Sequence, residues 1–345
     1  MTNEYLSYQD VFLFPEYSPF MSRSGAGCSP SVRFGLHGFK VPVVPANMKC
    51  VIDSNLAKWM SENDYFYIMH RFNVDHSHPV NQDNVEFVKR ANEENWKTIS
   101  ISLGVQEDDK RFLAWCDEND FRIDYITIDI AHAHSIRMKE MLEYIKGETN
   151  SYRKAFLIAG NVATPQAVAD LEDWGADSVK VGIAQGDACT TYGQTGFGLP
   201  MFGCIRNCAK VAKKPIIADG GVRMNGDFAK ALVAGGTMVM AGSIFAACVD
   251  SPAKSITRIM KTGEVVLVCG NYVDVHDEKI FKQYYGSASE YNKGTKHHVE
   301  GRMVELPCNG MTYAEKFLEI EESLASSISY AGGNLPNARW GVIYK

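Results

Sequence analysis

Eight short runs rich in β-branched and other apolar residues, separated by amphipathic stretches, constrain the fold of this chain more than any other feature. They are 41–47 (VPVVPAN), 66–70 (FYIMH), 98–104 (TISISLG), 124–131 (DYITIDIA), 155–162 (AFLIAGNV), 178–183 (SVKVGI), 214–221 (KPIIADGG) and 237–243 (TMVMAGS). The alternation is that of βα units around a parallel sheet, in which each helix lays an apolar stripe on strands that are themselves buried. Between two runs, 164–174 (TPQAVADLEDW) predicts a helix with Thr164 as N-cap and Pro165 at the first position, where a missing N–H costs nothing. Eight units close more naturally into a barrel than into an open sheet, so the expected fold class is α/β, a (β/α)8 TIM barrel spanning 1–345 as a single domain. Two segments lie outside the units. Residues 1–40 form an aromatic lead-in, and 262–312 read as a β-hairpin (VVLVCGNYVDV) followed by a polar, glycine-punctuated stretch. That stretch suits a mobile flap after strand 8, over the barrel mouth, with a last helix expected near 311–328.

Composition narrows the class. With 345 residues, 46% apolar and 22% charged, the chain can build one large barrel or two ordinary domains. No apolar run approaches the ~20 residues needed to cross a bilayer, and MTNEYLSYQDVF lacks the basic and apolar regions of a signal peptide. No membrane partner and a cytoplasmic location are therefore expected. The net charge of −6 argues against a general nucleic-acid partner, which would select for a basic surface. Nine cysteines, at 28, 50, 116, 189, 204, 208, 248, 269 and 308, are odd in number and scattered, as expected of reduced, mostly buried thiols. Cys204 and Cys208 have helical spacing but no second Cys/His pair beside them, so core packing is expected rather than zinc.

In barrels of this kind the active site is built at the C-terminal ends of the strands. Here those ends carry Asn47, His70, Asp129, Gly160, Asn161, the stretch Gly182 to Cys189, Asp219-Gly220-Gly221 and Gly242-Ser243. Turn geometry alone asks for some of these residues; their recurrence at strand ends points to a ligand site. The most informative run is KVGIAQGDACTTYGQTGFGLP, 180–200, which places Cys189 on a glycine-rich loop. There the thiol is accessible, and local amides would favour the thiolate that attacks electrophiles. ADGG (218–221) and AGS (241–243) sit where barrels hold phosphates on backbone amides. Asp219 then serves either sugar hydroxyls or a helix cap. His132 and His134, two apart on a loop with no partner set, read as a polar rim.

On these residues the chain resembles the IMP dehydrogenase and GMP reductase family. DVFLFPEYSPFMSRS, PANM, IAGNV, KVGI with CTT and TG, ADGG, the AGS turn, YYGSAS and EGRMVELP occur in the family's order from Tyr8 to about Gly333. The reductase branch is the better match. Only 71–97 separate His70 from Thr98, with no room for the regulatory module that the dehydrogenases usually insert there. The stretch 287–305 lacks the dehydrogenases' adjacent Arg-Tyr pair, and Glu300 in VEGRMVELP matches the reductase motif.

The resemblance implies NADPH-dependent reductive deamination of GMP to IMP, with loss of ammonia, through a covalent thioimidate on Cys189. By the same resemblance Thr191 and Glu300 manage protons. Asp219, Gly220, Gly221, Gly242, Ser243, Gly286, Ser287, Ala288 and Gly301 match nucleotide-binding positions. Arg71, Asp129, Ile130, Ala131, Ile183, Ala184 and, from a neighbouring subunit of a homotetramer, Ser22 and Arg23 match the NADPH side. Backbone carbonyls of Ala184, Gly186 and Cys189 match a potassium site. Three positions depart from the family pattern: Asp187 replaces a serine used on the nucleotide phosphate, Ala184 a loop glycine, and His297 a flap arginine. A carboxylate beside a phosphate is repulsive. Either Asp187 turns away to cap the loop or pair with a cation, or the ligand lacks a simple 5′-monophosphate. The alternatives to the leading reading are an NAD-dependent IMP dehydrogenase without its regulatory module, a reductase of a modified purine nucleotide, and a nucleotide-binding barrel whose chemistry has lapsed.

Overall fold

A computed structural model describes residues 5–72, 82–147, 151–268, 271–294 and 296–343. Seven of the eight expected runs form one parallel sheet: Val43–Pro45, Ser100–Leu103, Tyr125–Asp129, Phe156–Val162, Ser178–Val181, Ile216–Asp219 and Met238–Ala241. In space the Val43 strand pairs with the Met238 strand, and the order then runs back through the chain to the Ser100 strand. The first and last barrel strands are thus directly hydrogen-bonded, with Val44 opposite Met240. This is the curled sheet of a (β/α)8 barrel, surrounded by helices.

The run at 66–70 does not form a ladder, which corrects the expectation of eight equal strands. It lies beside the Ser100 strand, where Met69 N–H donates to the Ser100 carbonyl at 3.1 Å. Side chains take the remaining ladder positions. The Thr98 carbonyl accepts from the Tyr67 hydroxyl at 2.7 Å and from Ser61 Oγ at 3.1 Å, and the Ser100 N–H points at the Tyr67 hydroxyl at 3.4 Å.

Local rules hold around the barrel. The helix Pro165–Asp173 starts with Pro at N1 and with the Thr164 hydroxyl accepting from Ala167 N–H at 3.3 Å, as its sequence required. The last helix is Tyr313–Tyr330, opened by a capping box between Thr312 and Glu315 and burying Tyr313, Phe317, Ile320 and Leu324 at spacings of three and four. Cys204 and Cys208 are buried on one helix, Met201–Ala209, and eight of the nine cysteines are free; Cys269 lies outside the described residues.

The lead-in joins the barrel at both ends. Its Val11–Leu13 pairs antiparallel with Trp340–Val342, and its hairpin Val32–Phe34/His37–Phe39 closes the end opposite the mouth. There the buried Tyr125 hydroxyl accepts from Leu36 and His37 N–H and donates to the Phe34 carbonyl at 2.7 Å. The hairpin expected within 262–312 starts earlier, at Ser255. Its arms, Ser255–Val268 and Asn271–Tyr285, form a three-stranded antiparallel sheet with Met303–Pro307.

Candidate active site

The loop after Ser178–Val181 is shaped by backbone that few side chains could follow. Gly182 has φ +147°, and a Cβ there would fall 1.9 Å from the Asp219 carbonyl oxygen, so only glycine lets the two strand ends approach this closely. Ala184 has φ +67°, in the left-handed region. An L-residue pays about 1–2 kcal/mol there, which explains why glycine suits that position. The loop then turns so that Cys189 N–H donates to the Gly186 carbonyl at 3.0 Å, leaving the Cys189 side chain partly exposed in the wall of the mouth.

From Cys189 a chain of donors runs in one direction. The thiol donates to Thr191 Oγ1 at 3.2 Å, and the Thr191 hydroxyl donates to Glu300 Oε2 at 2.8 Å. The carboxylate at its end can only accept, so a proton leaving the sulfur has a route to Glu300 and back. Backbone bonds bring Glu300 there: Thr190 N–H donates to the Glu300 carbonyl at 2.9 Å and Arg302 N–H to the Ala188 carbonyl at 2.8 Å, flanking a bridge between Cys189 and Gly301.

Beneath this chain lies a buried ammonium that sequence reasoning missed. Lys180 is 3% exposed and reaches Asp129 Oδ1 at 2.9 Å and Asp219 Oδ2 at 2.7 Å. Asn47 donates to the other oxygen of Asp129 at 3.1 Å, and Asn161 donates to Asp219 Oδ2 at 2.8 Å and to the Gly182 carbonyl at 2.7 Å. Burial resists the charge on Asp129, but Lys180 and then Arg71 outweigh it and hold the carboxyl below its usual range. Burial likewise opposes the Lys180 charge, and the two aspartates overcome it, raising its pKa. Asp219 therefore does not cap a helix; its carboxylate is committed to Lys180 and Asn161, both at Oδ2. The signal was a lysine in the middle of an apolar strand, SVKVGI, where a charge is tolerated only if paired.

These groups line one cavity of about 530 Å³ at the barrel mouth. Its wall carries the nucleophile side (Cys189, Thr191, Glu300), the glycine turns (Gly220, Gly221, Gly242, Ser243), the flap residues Gly286, Ser287 and Ala288, and the far sector Arg71, Asp129, Ile130, Ala131, Ile183 and Ala184. Arg71 donates through Nε to the Asp129 carbonyl at 3.1 Å, and its guanidinium lies over the Phe72 ring at 5.0 Å. Asp187 also faces the cavity and forms an ion pair with Arg223, a second residue the sequence had not singled out.

Four expected residues are not among those that line the cavity. Gly301 lies beside it, bridged through its backbone to Cys189 and Ser289. His297 is exposed on a turn outside the lining. Ser22 and Arg23 are exposed away from this chain's cavity, with the Arg23 guanidinium over Tyr330 at 5.1 Å. His134 pairs with Asp170 at 2.8 Å, and no cluster of three metal-binding side chains occurs among the described residues. No helix among them is long and apolar enough to cross a membrane.

Residues 5–335 match the model of the IMP dehydrogenase / GMP reductase domain. The chain belongs to that family. It is an oxidoreductase of the IMP dehydrogenase / GMP reductase family, and proteins named GMP reductase resemble it along nearly their whole length. That of Mesoplasma florum is 47% identical over 340 residues, covering 98% of this chain and 96% of the relative. Those of Leptothrix cholodnii and Lacticaseibacillus casei are each 44% identical, over 332 residues (96% of this chain and 92% of the relative) and 328 residues (94% and 90%) respectively.

Proposed function

We propose that this enzyme reduces GMP to IMP with NADPH and releases ammonia, Cys189 being the nucleophile. The observation that carries the reading is the one-way hydrogen-bond chain from Cys189 through Thr191 to Glu300, at the wall of a cavity large enough for a nucleotide.

Cys189 loses its proton through Thr191 to Glu300, and its sulfur adds to carbon 2 of the purine. Glu300 returns the proton through Thr191 to the exocyclic amine, which leaves as ammonia and leaves the ring joined to Cys189 as a thioimidate. An amine departs readily only once protonated, so the acid must stand beside the sulfur. When bound, NADPH supplies the hydride that converts this adduct to IMP. Cys189 then leaves as the thiolate and is reprotonated by a proton that Glu300 takes up from solvent after ammonia has gone and passes back through Thr191. Asp219, fixed by Lys180 and Asn161, presents to the ribose an Oδ1 that no donor among the described residues takes. The turns at Gly220-Gly221 and Gly242-Ser243, with Gly286 to Ala288, hold the phosphate and base.

The sector of Arg71, Asp129, Ile130, Ala131, Ile183 and Ala184 fits a nicotinamide nucleotide, since it offers a guanidinium, backbone and a short apolar wall in the same cavity. A guanidinium can grip the 2′-phosphate that marks NADPH. For a potassium ion, the carbonyls of Ala184 and Cys189 receive no backbone N–H among the described residues, and Gly186 completes the turn. Exposure of Ser22 and Arg23 suits service to a neighbouring cavity in a homotetramer, and a cytoplasmic setting follows from the substrate.

A nucleotide panel with NADPH, scored for loss of nicotinamide absorbance and for ammonia, tests the reading. Oxidation with GMP and one ammonia per NADPH are expected. Formation of reduced cofactor from IMP and NAD, with no reaction of GMP, would replace it with the dehydrogenase. Arg71→Ala is expected to weaken NADPH far more than NADH; equal losses would give Arg71 another task.

A further inference from the structure

Asp187 and Arg223 form an ion pair across two loops of the mouth, Asp187 standing at the position where the family resemblance expects a serine. Asp187 ends the glycine-rich turn just before Ala188 and Cys189, and it is 27% exposed. Arg223 follows the Gly220-Gly221 turn, on the segment leading into the helix Asn225–Val233. Its backbone is pinned: Arg223 N–H donates at 2.9 Å to Asp227, a buried carboxylate that also holds Met224 N–H at 3.2 Å. The side chain reaches back across the turn. Its Nη1 meets Asp187, and its Nη2 makes only a long contact, 3.5 Å, with the Gln185 carbonyl.

Both residues line the same cavity as Gly221, Gly242 and Ser243. The link to the Gly242 turn is Tyr284, whose hydroxyl lies within 2.4 Å of where a Cβ on Gly242 would fall. Tyr284 is held above its usual range by burial first, then by Cys50, Asp187 and Asp219, with Arg223 acting the other way. Both members of the ion pair are thus within electrostatic reach of the Gly242 turn.

Three cations line the cavity among the described residues. Lys180 is consumed by two carboxylates, and Arg71 sits on the Asp129 sector. Arg223 is the cation at the glycine turns, and its weakly engaged nitrogen is the donor free to turn inward.

We propose that Arg223 is a ligand of the nucleotide phosphate and that Asp187 is its positioning partner, holding the guanidinium at the rim until a dianionic phosphate competes for it. The inference rests on the reading that the substrate is a nucleoside monophosphate. It makes phosphate recognition in this chain an exchange of anions on one guanidinium, in place of the hydroxyl contact a serine would give. The pair is neutral without substrate, so the carboxylate's repulsion is cancelled where it would otherwise act. Removing Arg223 alone exposes that repulsion; removing both charges relieves it.

The test compares Arg223→Gln, Asp187→Asn and the double variant, with KM and kcat for GMP and with competition by inorganic phosphate. Arg223→Gln is expected to raise KM for GMP about thirtyfold or more, with the smaller part of the loss in kcat, and to weaken inhibition by phosphate. The double variant is expected to recover at least about fivefold of that KM, because the unpaired carboxylate has gone. A KM within about twofold of wild type in Arg223→Gln, or a double variant no better than Arg223→Gln, overturns the proposal and leaves the pair a tie between two loops. If wild-type enzyme does not oxidise NADPH with GMP, the underlying functional reading fails instead. In that event phosphate binding, followed by calorimetry on wild type and Arg223→Gln, still decides whether Arg223 holds an anion.

Discussion

Thr191 and Glu300 are 109 positions apart in the chain, yet the threonine hydroxyl donates to the carboxylate at 2.8 Å. One comes from the loop after the sixth barrel run and the other from the segment behind the long hairpin. The contact depends on closing that segment onto the loop by backbone pairing at Gly301, so the proton route exists only when both are in register.

Cys189→Ala should lower turnover by at least about three orders of magnitude while leaving nucleotide binding within a few-fold, because removing a nucleophile abolishes the covalent path and spares the glycine turns. Denaturing mass spectrometry of wild-type enzyme with GMP should show an adduct on Cys189. A Cys189→Ala enzyme within tenfold of wild type would remove the central claim.

Glu300→Gln keeps the shape at the end of the chain but cannot take the proton. It should lower kcat by about 10²-fold or more, the usual worth of a positioned acid–base group, with KM for GMP changed far less. Thr191→Val, which breaks the relay in its middle, should approach the same loss. Should the two substitutions together cost the product of their separate losses, they do not act as one relay.

Lys180→Met should cost about 3–5 kcal/mol of stability in urea titration, since it leaves two partly buried carboxylates without their shared cation. The pH dependence follows from the directions of the shifts. Asp129 is held below its usual range, so its stabilising effect is present above about pH 4 and is lost as pH falls through its folded value. Lys180 is held above its own, so its effect is present below about pH 10 and is lost as pH rises further. In Lys180→Met burial dominates at Asp129, and mild acid should then stabilise the fold rather than weaken it.

His70 supplies an independent acid limb. Burial first, and then the charge of Lys49, lower its pKa to about 4, and its Nδ1 is buried without a hydrogen-bond partner among the described residues. The fold keeps the ring neutral while the unfolded chain takes up a proton below about pH 6.5. Stability should therefore fall by up to about 1.4 kcal/mol per pH unit between about pH 6.5 and 4. His70→Gln should flatten that slope in denaturation midpoints measured across the range; an unchanged slope would assign the acid sensitivity elsewhere.

Much of the barrel was legible because its signals are local. A strand buried on both faces reads as an apolar run, and Thr164-Pro165 announces a helix start without help from the rest of the chain. The run at 66–70 carried the same signal but forms no ladder, since the hydroxyls of Tyr67 and Ser61 take the backbone groups a ladder needs, and hydroxyl reach across elements is not written in periodicity. The hairpin's early start at Ser255 was hidden for the opposite reason: residues such as Thr257, Arg258 and Ile259 face solvent with no clean alternation to mark a strand.

At the mouth, Cys189 and the glycine turns stood out because chemistry and turn geometry restrict residue type at single positions. Lys180, Tyr284 and Arg223 did not, because each acquires meaning only from partners that the fold brings from other strands. Asp187 was noticed as an anomaly; the arginine that answers it lies 36 positions further on.

The bridge between Cys189 and Gly301 also bears on how the chain tolerates change. Glu300 is located by bonds to the nucleophile's own loop and not by the length of the hairpin that precedes it. Residues gained or lost in the outer part of that hairpin would leave the acid in place. That outer part, beyond the Met260–Asp277 pair, is thus a natural spacer, a stretch where a label or graft could be inserted while the chemistry keeps its register.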